Sequence, residues 1–311
     1  MKVLVTGGTG FLGRHVVADL LRAGHAVTTL SRAPAPPDWP CPHVAADIGS
    51  DAARHAAAAA EAIVHLAGLP DVGYSLRHPA EVGRVNAGGT LNILEGARER
   101  GARVVLLSTQ RVYARALAPL AEDAPLAADT PYGLSKHHAE AWCALYHQRY
   151  GVPTVVLRGF SIYGPGQVVR GGSSGVVSIL AQRALAGLPL EIDGAALRDF
   201  VAVADLVQAV RLALHSPRAA GRVYNVGTGV ATTLIELAEA VCRAAGVAVP
   251  IRCPSGEPAP GFVADITRIR AELGYAPTVG LAEGLEQYVA WLRAARPHPP
   301  EGAADPGAAR R

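Results

Sequence analysis

The sequence predicts an α/β fold, a doubly wound parallel sheet covered by helices on both faces and joined to a smaller α/β lobe. Three observations predict it. Short apolar runs of strand length alternate with amphipathic segments of helix length, which is typical of strands connected by crossover helices. A glycine-rich turn joins the first run to the first amphipathic segment. After Gly164 the sequence becomes rich in Gly and Ser and its elements become shorter, which indicates the second lobe.

The predicted sheet is built from apolar runs of strand length. Its strands are expected at residues 3–5, 27–30, 63–66, 104–107, 154–157 and 223–226. The apolar spacing and length of the segments between them predict helices at residues 13–23, 85–100 and 135–150. Right-handed crossovers through such helices give the doubly wound topology.

The division into lobes follows the sheet. We expect a first domain at residues 1–164, with the sheet rejoined by about 203–227. Residues 165–202 and 228–295 then form the smaller lobe. Residues 296–311 are rich in Pro, Gly and Ala and have nothing to bury, so a disordered tail is predicted.

The composition excludes several classes of protein. The chain has 311 residues, 50% of them hydrophobic, and a formal net charge of +3 that is not gathered into a basic block, so no nucleic-acid surface is indicated. No apolar stretch reaches about 18 residues and no signal peptide precedes the first strand, so we expect no membrane partner and a cytoplasmic location. Cys41, Cys143, Cys242 and Cys253 have no C-x-x-C spacing, which favours free thiols over a metal site.

The glycine-rich turn predicts a phosphate site. Gly7, Gly10 and Gly13 follow the first strand and open a helix, with Phe11 and Leu12 between them. Glycines at this spacing let the backbone turn tightly, approach a pyrophosphate and pack the helix on the strand. The free N–H groups of the helix N-terminus face the phosphate charge. The first domain is therefore expected to bind a dinucleotide.

The end of the second strand indicates which nicotinamide cofactor is bound. An acidic residue there would bond the ribose 2′-hydroxyl, whereas an arginine would pair with a 2′-phosphate. This chain has Ser31 and Arg32, so NADP(H) is favoured and NAD(H) is possible. Asp47, followed by Ile48, either accepts from the adenine amino group or serves as an ordinary turn residue.

A tyrosine and a lysine predict acid–base chemistry. Tyr132 and Lys136 are four residues apart at the start of a predicted helix, so their side chains lie on one face. A neighbouring ammonium is expected to lower the pKa of the Tyr132 phenol and make it a usable acid and base. Thr109 lies just beyond the carboxyl end of the strand predicted at 104–107, where it can orient the reacting oxygen.

These motifs together resemble the extended short-chain dehydrogenase/reductase family, specifically its NAD-dependent nucleotide-sugar epimerases and dehydratases. The resemblance covers about residues 1–293. Beyond the glycine turn and the tyrosine and lysine, it rests on the segments 65–68, 86–90, 108–113, 157–166, 198–201 and 224–227.

The resemblance implies a Rossmann domain, a substrate-binding second lobe, a homodimer and a nucleotide-diphosphate sugar as substrate. It makes Tyr132 the acid and base, Lys136 the ligand of the nicotinamide ribose and Thr109 the partner of the substrate oxygen. Further cofactor contacts are expected at Leu66, Ala67, Gly68 and Phe160, and substrate contacts at Gln110, Ser161 and Arg198.

Departures from the family pattern indicate the reaction. Gln110 and Arg111 stand where sugar 4,6-dehydratases carry an Asp-Glu pair, and neither is a general acid near neutral pH, so dehydration is discounted. Ser31 and Arg32 suit a consumed NADPH, which favours reduction of the C4 ketone of a nucleotide-linked 4-keto-6-deoxyhexose. The alternatives are an NAD-dependent nucleotide-sugar 4-epimerase, a reductase of a non-sugar ketone and a non-catalytic NADP sensor.

One family feature is missing on the substrate side. A second basic residue, expected in an Arg-Pro-Gly stretch, is absent from residues 257–261. Arg252 is a candidate replacement, or else the substrate is not a nucleotide sugar.

Overall fold

A computed structural model of the protein describes residues 1–168, 175–192, 196–253 and 259–295. The tail predicted at 296–311 lies outside these residues. Helices cover both faces of a central parallel sheet, as predicted, and a smaller group of helices and short strands lies beside it.

The strands and helices are numbered along the chain. The strands are β1 (Lys2–Thr6), β2 (Ala26–Ser31), β3 (His43–Ala45), β4 (Ala62–His65), β5 (Arg103–Thr109), β6 (Thr154–Gly159), β7 (Ile162–Tyr163), β8 (Leu190–Glu191), β9 (Ala196–Arg198), β10 (Val201–Ala202), β11 (Arg222–Val226), β12 (Ile251–Arg252) and β13 (Ala259–Phe262). The helices are α1 (Phe11–Arg22), α2 (Asp51–Ala58), α3 (Val72–Arg77), α4 (Pro79–Gly83), α5 (Gly89–Arg100), α6 (Pro131–Tyr150), α7 (Val176–Leu185), α8 (Val203–His215), α9 (Leu234–Ala245), α10 (Thr267–Leu273) and α11 (Leu281–Ala294).

Within the described residues the central sheet has seven strands in the order β11-β6-β5-β4-β1-β2-β3, and every pair of neighbours is parallel. Each predicted strand lies in it to within two residues, and β3 adds an edge strand beyond β2. The chain builds outward from β1 to β3 and then continues on the other side of β1 from β4. This reversal leaves a crevice at the carboxyl ends of β1 and β4, where ligands bind in such sheets.

The core has one layer on each face of the sheet because neighbouring residues of a strand point to opposite faces. In β1, Val3 and Val5 belong to a buried cluster with residues of α1 and α8. Leu4 belongs to a second cluster with residues of α2 and α5. Burial on both faces explains why the strand interiors are apolar at successive positions.

Two helices begin differently from the prediction. The Thr130 hydroxyl accepts a hydrogen bond from Gly133 N at 3.1 Å and Pro131 occupies the first turn, and both features favour a helix start. Helix α6 therefore begins four residues before the predicted helix at 135–150 and includes Tyr132. The predicted helix at 85–100 starts instead with a π-helical turn, Arg84–Gly88, that continues into α5.

The smaller lobe has its own buried cluster between α7, α9 and α11. Short parallel pairs of strands, β7 with β10, β8 with β12 and β9 with β13, lie beside it. The pairing of β9 with β13 sets Arg198 opposite Phe262. Among the described helices, none is long and apolar enough to cross a membrane.

Candidate active site

A cavity of about 990 Å³ lies between the carboxyl edge of the sheet and the smaller lobe. Its wall contains nearly all of the predicted site residues. Those that line it are Gly7, Gly10, Phe11, Leu12, Gly13, Ser31, Arg32, Asp47, Ile48, Leu66, Ala67, Gly68, Thr109, Gln110, Tyr132, Lys136, Ser161 and Arg198. Residues that are up to 191 positions apart in sequence thus share one cavity.

The glycine turn has the shape that a dinucleotide pyrophosphate requires. Gly7 has φ +69°, and a Cβ on it would lie 3.0 Å from Ala67 N. A Cβ on Gly13 would collide with the Gly7 carbonyl oxygen and with Gly8, so α1 could not pack on the turn. In the described part of the chain no side chain caps α1 at Gly10, which leaves its first N–H groups for a phosphate. These residues fit a nicotinamide dinucleotide.

Thr109, Tyr132 and Lys136 come together at the centre of the cavity. Thr109 ends β5 and its hydroxyl is hydrogen-bonded to Tyr132 in the first turn of α6. Lys136 follows one turn later and is almost completely buried, with 6% of its surface exposed. Its ammonium donates no hydrogen bond to any described residue, so it is available to ligand hydroxyls.

Burial governs the ionisation of the tyrosine and the lysine. It raises the pKa of Tyr132, while the Thr109 hydrogen bond and the Arg111 guanidinium oppose this rise. It lowers the pKa of Lys136 to about 8, although the Glu140 carboxylate favours the charged form. The expected lowering of the Tyr132 pKa by Lys136 is therefore wrong for this structure, because desolvation dominates and the opposing positive charge belongs to Arg111.

A buried ion pair holds α6 against the sheet. Arg158 of β6 donates from Nη2 to Glu140 Oε2 at 2.7 Å, and both side chains are at least 94% buried. Arg158 also donates to the Tyr113 hydroxyl at 2.8 Å, and Ser108 donates to Glu140. These bonds join β5, β6 and α6 and so hold in place the helix that carries Tyr132 and Lys136.

Gln110 and Ser161 bond to each other at the ends of β5 and β6. The Ser161 backbone N–H donates to Gln110 Oε1 at 3.2 Å, and Gln110 Nε2 donates to Ser161 Oγ at 3.3 Å. The two residues form one polar wall of the cavity beside Thr109.

Phe160 is a predicted cofactor contact that the structure places elsewhere. Its side chain is completely buried and its ring centroid lies 6.3 Å from that of Tyr113. Gly159 and Ser161 on either side line the cavity, so the alternation of side chains turns Phe160 away from it. As a correction, Phe160 belongs to the hydrophobic core.

Ser31 and Arg32, which the sequence predicts to select the cofactor, lie at the end of β2 and directly after it. Ser31 Oγ accepts a hydrogen bond from Thr9 Oγ1 at 2.9 Å. Arg32 is exposed at the rim of the cavity and forms no ion pair with the described residues. Asp47 Oδ1 accepts from Gly49 N at 2.8 Å, so it has the turn role, although it also lines the cavity.

A group of three arginines surrounds Phe262, and of these the sequence predicts only Arg198 as a substrate contact. The guanidinium carbons of Arg111, Arg115 and Arg198 lie 5.3, 5.4 and 5.7 Å from the ring centroid of Phe262. Burial and the charges of Arg111 and Arg115 lower the pKa of Arg198 to about 10. The place of Arg111 directly after Thr109 and Gln110 is a sequence signal that this arginine lines the same cavity.

Arg252 does not replace the missing family arginine. It pairs with Glu191 at 3.1 Å on the surface, and it is not among the described residues that line the cavity. Glu257 and Pro258, in the stretch where that arginine was expected, lie outside the described residues.

A family model decides where the chain belongs. The model, described as the NAD dependent epimerase/dehydratase family, matches residues 3–227. The chain belongs to the NAD-dependent epimerase/dehydratase family. The family and the prediction of an enzyme of this kind are thereby confirmed.

Members of this family from bacteria are similar over nearly the whole chain. A dTDP-glucose 4,6-dehydratase of Streptomyces niveus is 32% identical, covering 94% of this chain and 93% of the relative. A UDP-glucose 4-epimerase of Mycolicibacterium smegmatis is 35% identical, covering 94% and 99%.

Solved structures of the family share the fold. The UDP-glucose 4-epimerase of Thermotoga maritima, solved with UDP-glucose, matches with a TM-score of 0.87 at 29% identity, covering 95% of this chain and 99% of that one. MoeE5, solved with UDP-glucuronic acid and NAD, matches with a TM-score of 0.86 at 31% identity, covering 95% and 100%.

Proposed function

We propose that the protein is a nucleotide-sugar 4-epimerase, which moves a hydride at C4 of the sugar and inverts that carbon. The observation that carries this proposal is the cluster of Thr109, Tyr132 and Lys136 without a further acid and base at Gln110 and Arg111. Oxidation of an alcohol needs one proton acceptor, whereas elimination of water across C5 and C6 needs its own acid and base. The relatives described above support a nucleotide sugar as the substrate.

The cofactor would lie along the first domain. The N–H groups at the start of α1 would hold the pyrophosphate, Asp47 and Ile48 would contact the adenine, and Leu66 to Gly68 would line the middle of the cofactor site. Lys136 would bond the nicotinamide ribose. When bound, the nicotinamide accepts a hydride and returns it.

Tyr132 then moves the proton. Its phenolate would accept the proton of the C4 hydroxyl, and the phenol so formed would return a proton to the C4 oxygen, while Thr109 would donate a hydrogen bond to the same oxygen. Burial holds the pKa of Tyr132 above its ordinary value, so the phenolate depends on nearby positive charge. Arg111 supplies such charge in this structure, and the Lys136 ammonium lies one turn along α6.

The substrate would bridge the two lobes. Arg198, on β9, suits the diphosphate because a guanidinium can donate two parallel hydrogen bonds to it. Gln110 and Ser161 lie beside Thr109 and would contact the sugar. Residues 165–202 and 228–295 would therefore form the substrate-binding lobe.

The test is an assay for C4 inversion of UDP- and dTDP-hexoses with NAD or NADP. Wild-type protein should convert the sugar to its 4-epimer, and Tyr132→Phe should lose at least about a hundredfold in turnover, as removal of a general base does. Cofactor affinity of the variant should stay nearly unchanged. Unaltered turnover in Tyr132→Phe would remove the tyrosine from the chemistry and contradict the proposal.

An NADP(H)-dependent 4-ketoreductase of deoxysugar biosynthesis is the second candidate. Exposed Arg32 at the cavity rim favours it, because a 2′-phosphate would pair with that guanidinium. Titration of NADPH against NADH on freshly purified protein, with a spectrum taken for retained cofactor, separates the candidates. An empty site with a clear NADPH preference supports the ketoreductase, and retained NAD supports the epimerase.

We also infer that two copies of the chain pair through α6. The outer face of this helix exposes Leu134 and Leu145, which are 47% and 38% accessible, with Ala141 between them. Their spacing of seven and four residues places them on one side of the helix. Trp142 and Tyr146 of the same helix pack on the protein's own core.

A further inference from the structure

The arginines around Phe262 differ in what neutralises them. Arg115 is paired with Asp129 at 3.1 Å, and both side chains are largely exposed. Neither Arg111 nor Arg198 forms an ion pair with any residue in the described ranges. Both are partly buried, and burial of a cation without a partner is costly.

Arg111 lies closer to the reacting end of the cavity than Arg198. Its backbone N–H donates to Thr109 Oγ1 at 3.2 Å, and its guanidinium acts electrostatically on Tyr132. No such action on Tyr132 is found for Arg198, which belongs to β9 of the other lobe. The guanidinium of Arg111 thus acts on the phenol of Tyr132 and shares the Phe262 ring with the guanidinium of Arg198, and all three residues line the cavity.

In the proposed function the substrate would extend along these cavity residues. In the proposed function, on which this inference rests, the sugar C4 lies at Tyr132 and the diphosphate lies at Arg198. The group facing Arg111 then belongs to the sugar ring or to its C6 substituent. A neutral hydroxymethyl or methyl group would leave Arg111 as a buried cation without an anion, whereas a carboxylate would neutralise it through two parallel hydrogen bonds.

We propose that Arg111 is a specificity-determining residue that binds a C6 carboxylate, so that the substrate is a nucleotide uronic acid. The arrangement gives the diphosphate and the carboxylate of such a substrate separate binding partners in one cavity. Arg198 from the second lobe holds the diphosphate and Arg111 from the sheet edge holds the carboxylate. A 6-deoxy sugar has no such group, so this inference also opposes the ketoreductase of a 4-keto-6-deoxyhexose.

The test is a calorimetric titration of the protein with NAD present. The affinities of UDP and dTDP are compared first. Three ligands that contain the tighter-binding nucleotide are then titrated: the free nucleoside diphosphate, its glucose derivative and its glucuronate derivative. Wild-type protein should bind the glucuronate at least about tenfold more tightly than the glucose derivative, as one charge-assisted hydrogen bond would give. Arg111→Gln should abolish this preference and keep its affinity for the free diphosphate, and Arg111→Lys should restore part of the preference.

Two variants provide the comparison. Arg198→Gln should weaken all three ligands, including the free diphosphate. Arg115→Gln, which removes the ion-paired arginine beside the same ring, should change none of them.

Three outcomes would overturn a proposal. Equal wild-type affinity for the glucose and glucuronate derivatives contradicts a carboxylate site. Loss of free-diphosphate affinity in Arg111→Gln, equal to that in Arg198→Gln, assigns Arg111 to the diphosphate instead. Failure of both UDP and dTDP to bind would contradict the proposed function itself, and this inference with it.

Discussion

Arg32 lies just beyond the end of β2, exposed at the cavity rim and without a carboxylate partner in the described residues. Its replacement by alanine should weaken NADPH by at least about tenfold, because a 2′-phosphate would lose a charge-assisted bond. NADH has no group at that position, so its affinity should stay the same. Fluorescence titration of both cofactors measures the difference. Arg22→Ala, at the far end of α1, is the matched control, and equal weakening of both cofactors by Arg32→Ala would contradict the role of Arg32.

The residues of the site differ in how far the sequence reveals them. Gly7 and Gly13 are predictable because their requirement is local: a turn and a close helix approach accept no side chain. The predicted cofactor contact at Phe160 is wrong because the direction of its side chain depends on the backbone at the end of β6, where Gly159 and Ser161 line the cavity. Arg111 was missed because its neighbour Phe262 comes from the other lobe, 151 residues later.

At the scale of elements, strands were easier to predict than helix starts. The strand runs are apolar because both faces are buried, and the prediction placed each of them to within two residues. The start of α6 depends on a cap by Thr130, which is a local polar signal that apolar periodicity does not contain. The π-helical turn Arg84–Gly88 before α5 has the apolar content of an ordinary helix and was not distinguishable from one.

Loss of the buried ion pair that attaches α6 to the sheet is expected to lower the stability of the protein strongly. Glu140→Ala would leave Arg158 buried without its carboxylate, and loss of one partner of a buried pair costs about 3–5 kcal/mol. Glu239→Ala removes the carboxylate of an exposed pair with Arg243 on α9 and should cost no more than about 1 kcal/mol. Urea unfolding of both variants measures the difference. Similar free energies of unfolding would show that the Glu140 pair does not hold α6.

At the scale of the whole molecule, the sheet and the smaller lobe form the cavity of about 990 Å³ together, and the outer face of α6 does not line it. Its exposed residues, Leu134, Ala141 and Leu145, form an apolar stripe on the helix that carries Tyr132 and Lys136. Pairing of two copies along this stripe would remove apolar surface from water and restrain α6 from outside.

This pairing gives a prediction of molecular mass. Wild-type protein at micromolar concentration should have the light-scattering mass of two chains, and Leu145→Glu should have the mass of one, because a buried carboxylate without a partner opposes association. Ile235→Glu on α9 is a matched control, since Ile235 is 37% exposed and Leu145 is 38% exposed, and it should remain a dimer. A wild-type mass of one chain would contradict the dimer, whereas dissociation in both variants would show that added charge rather than the α6 face is responsible.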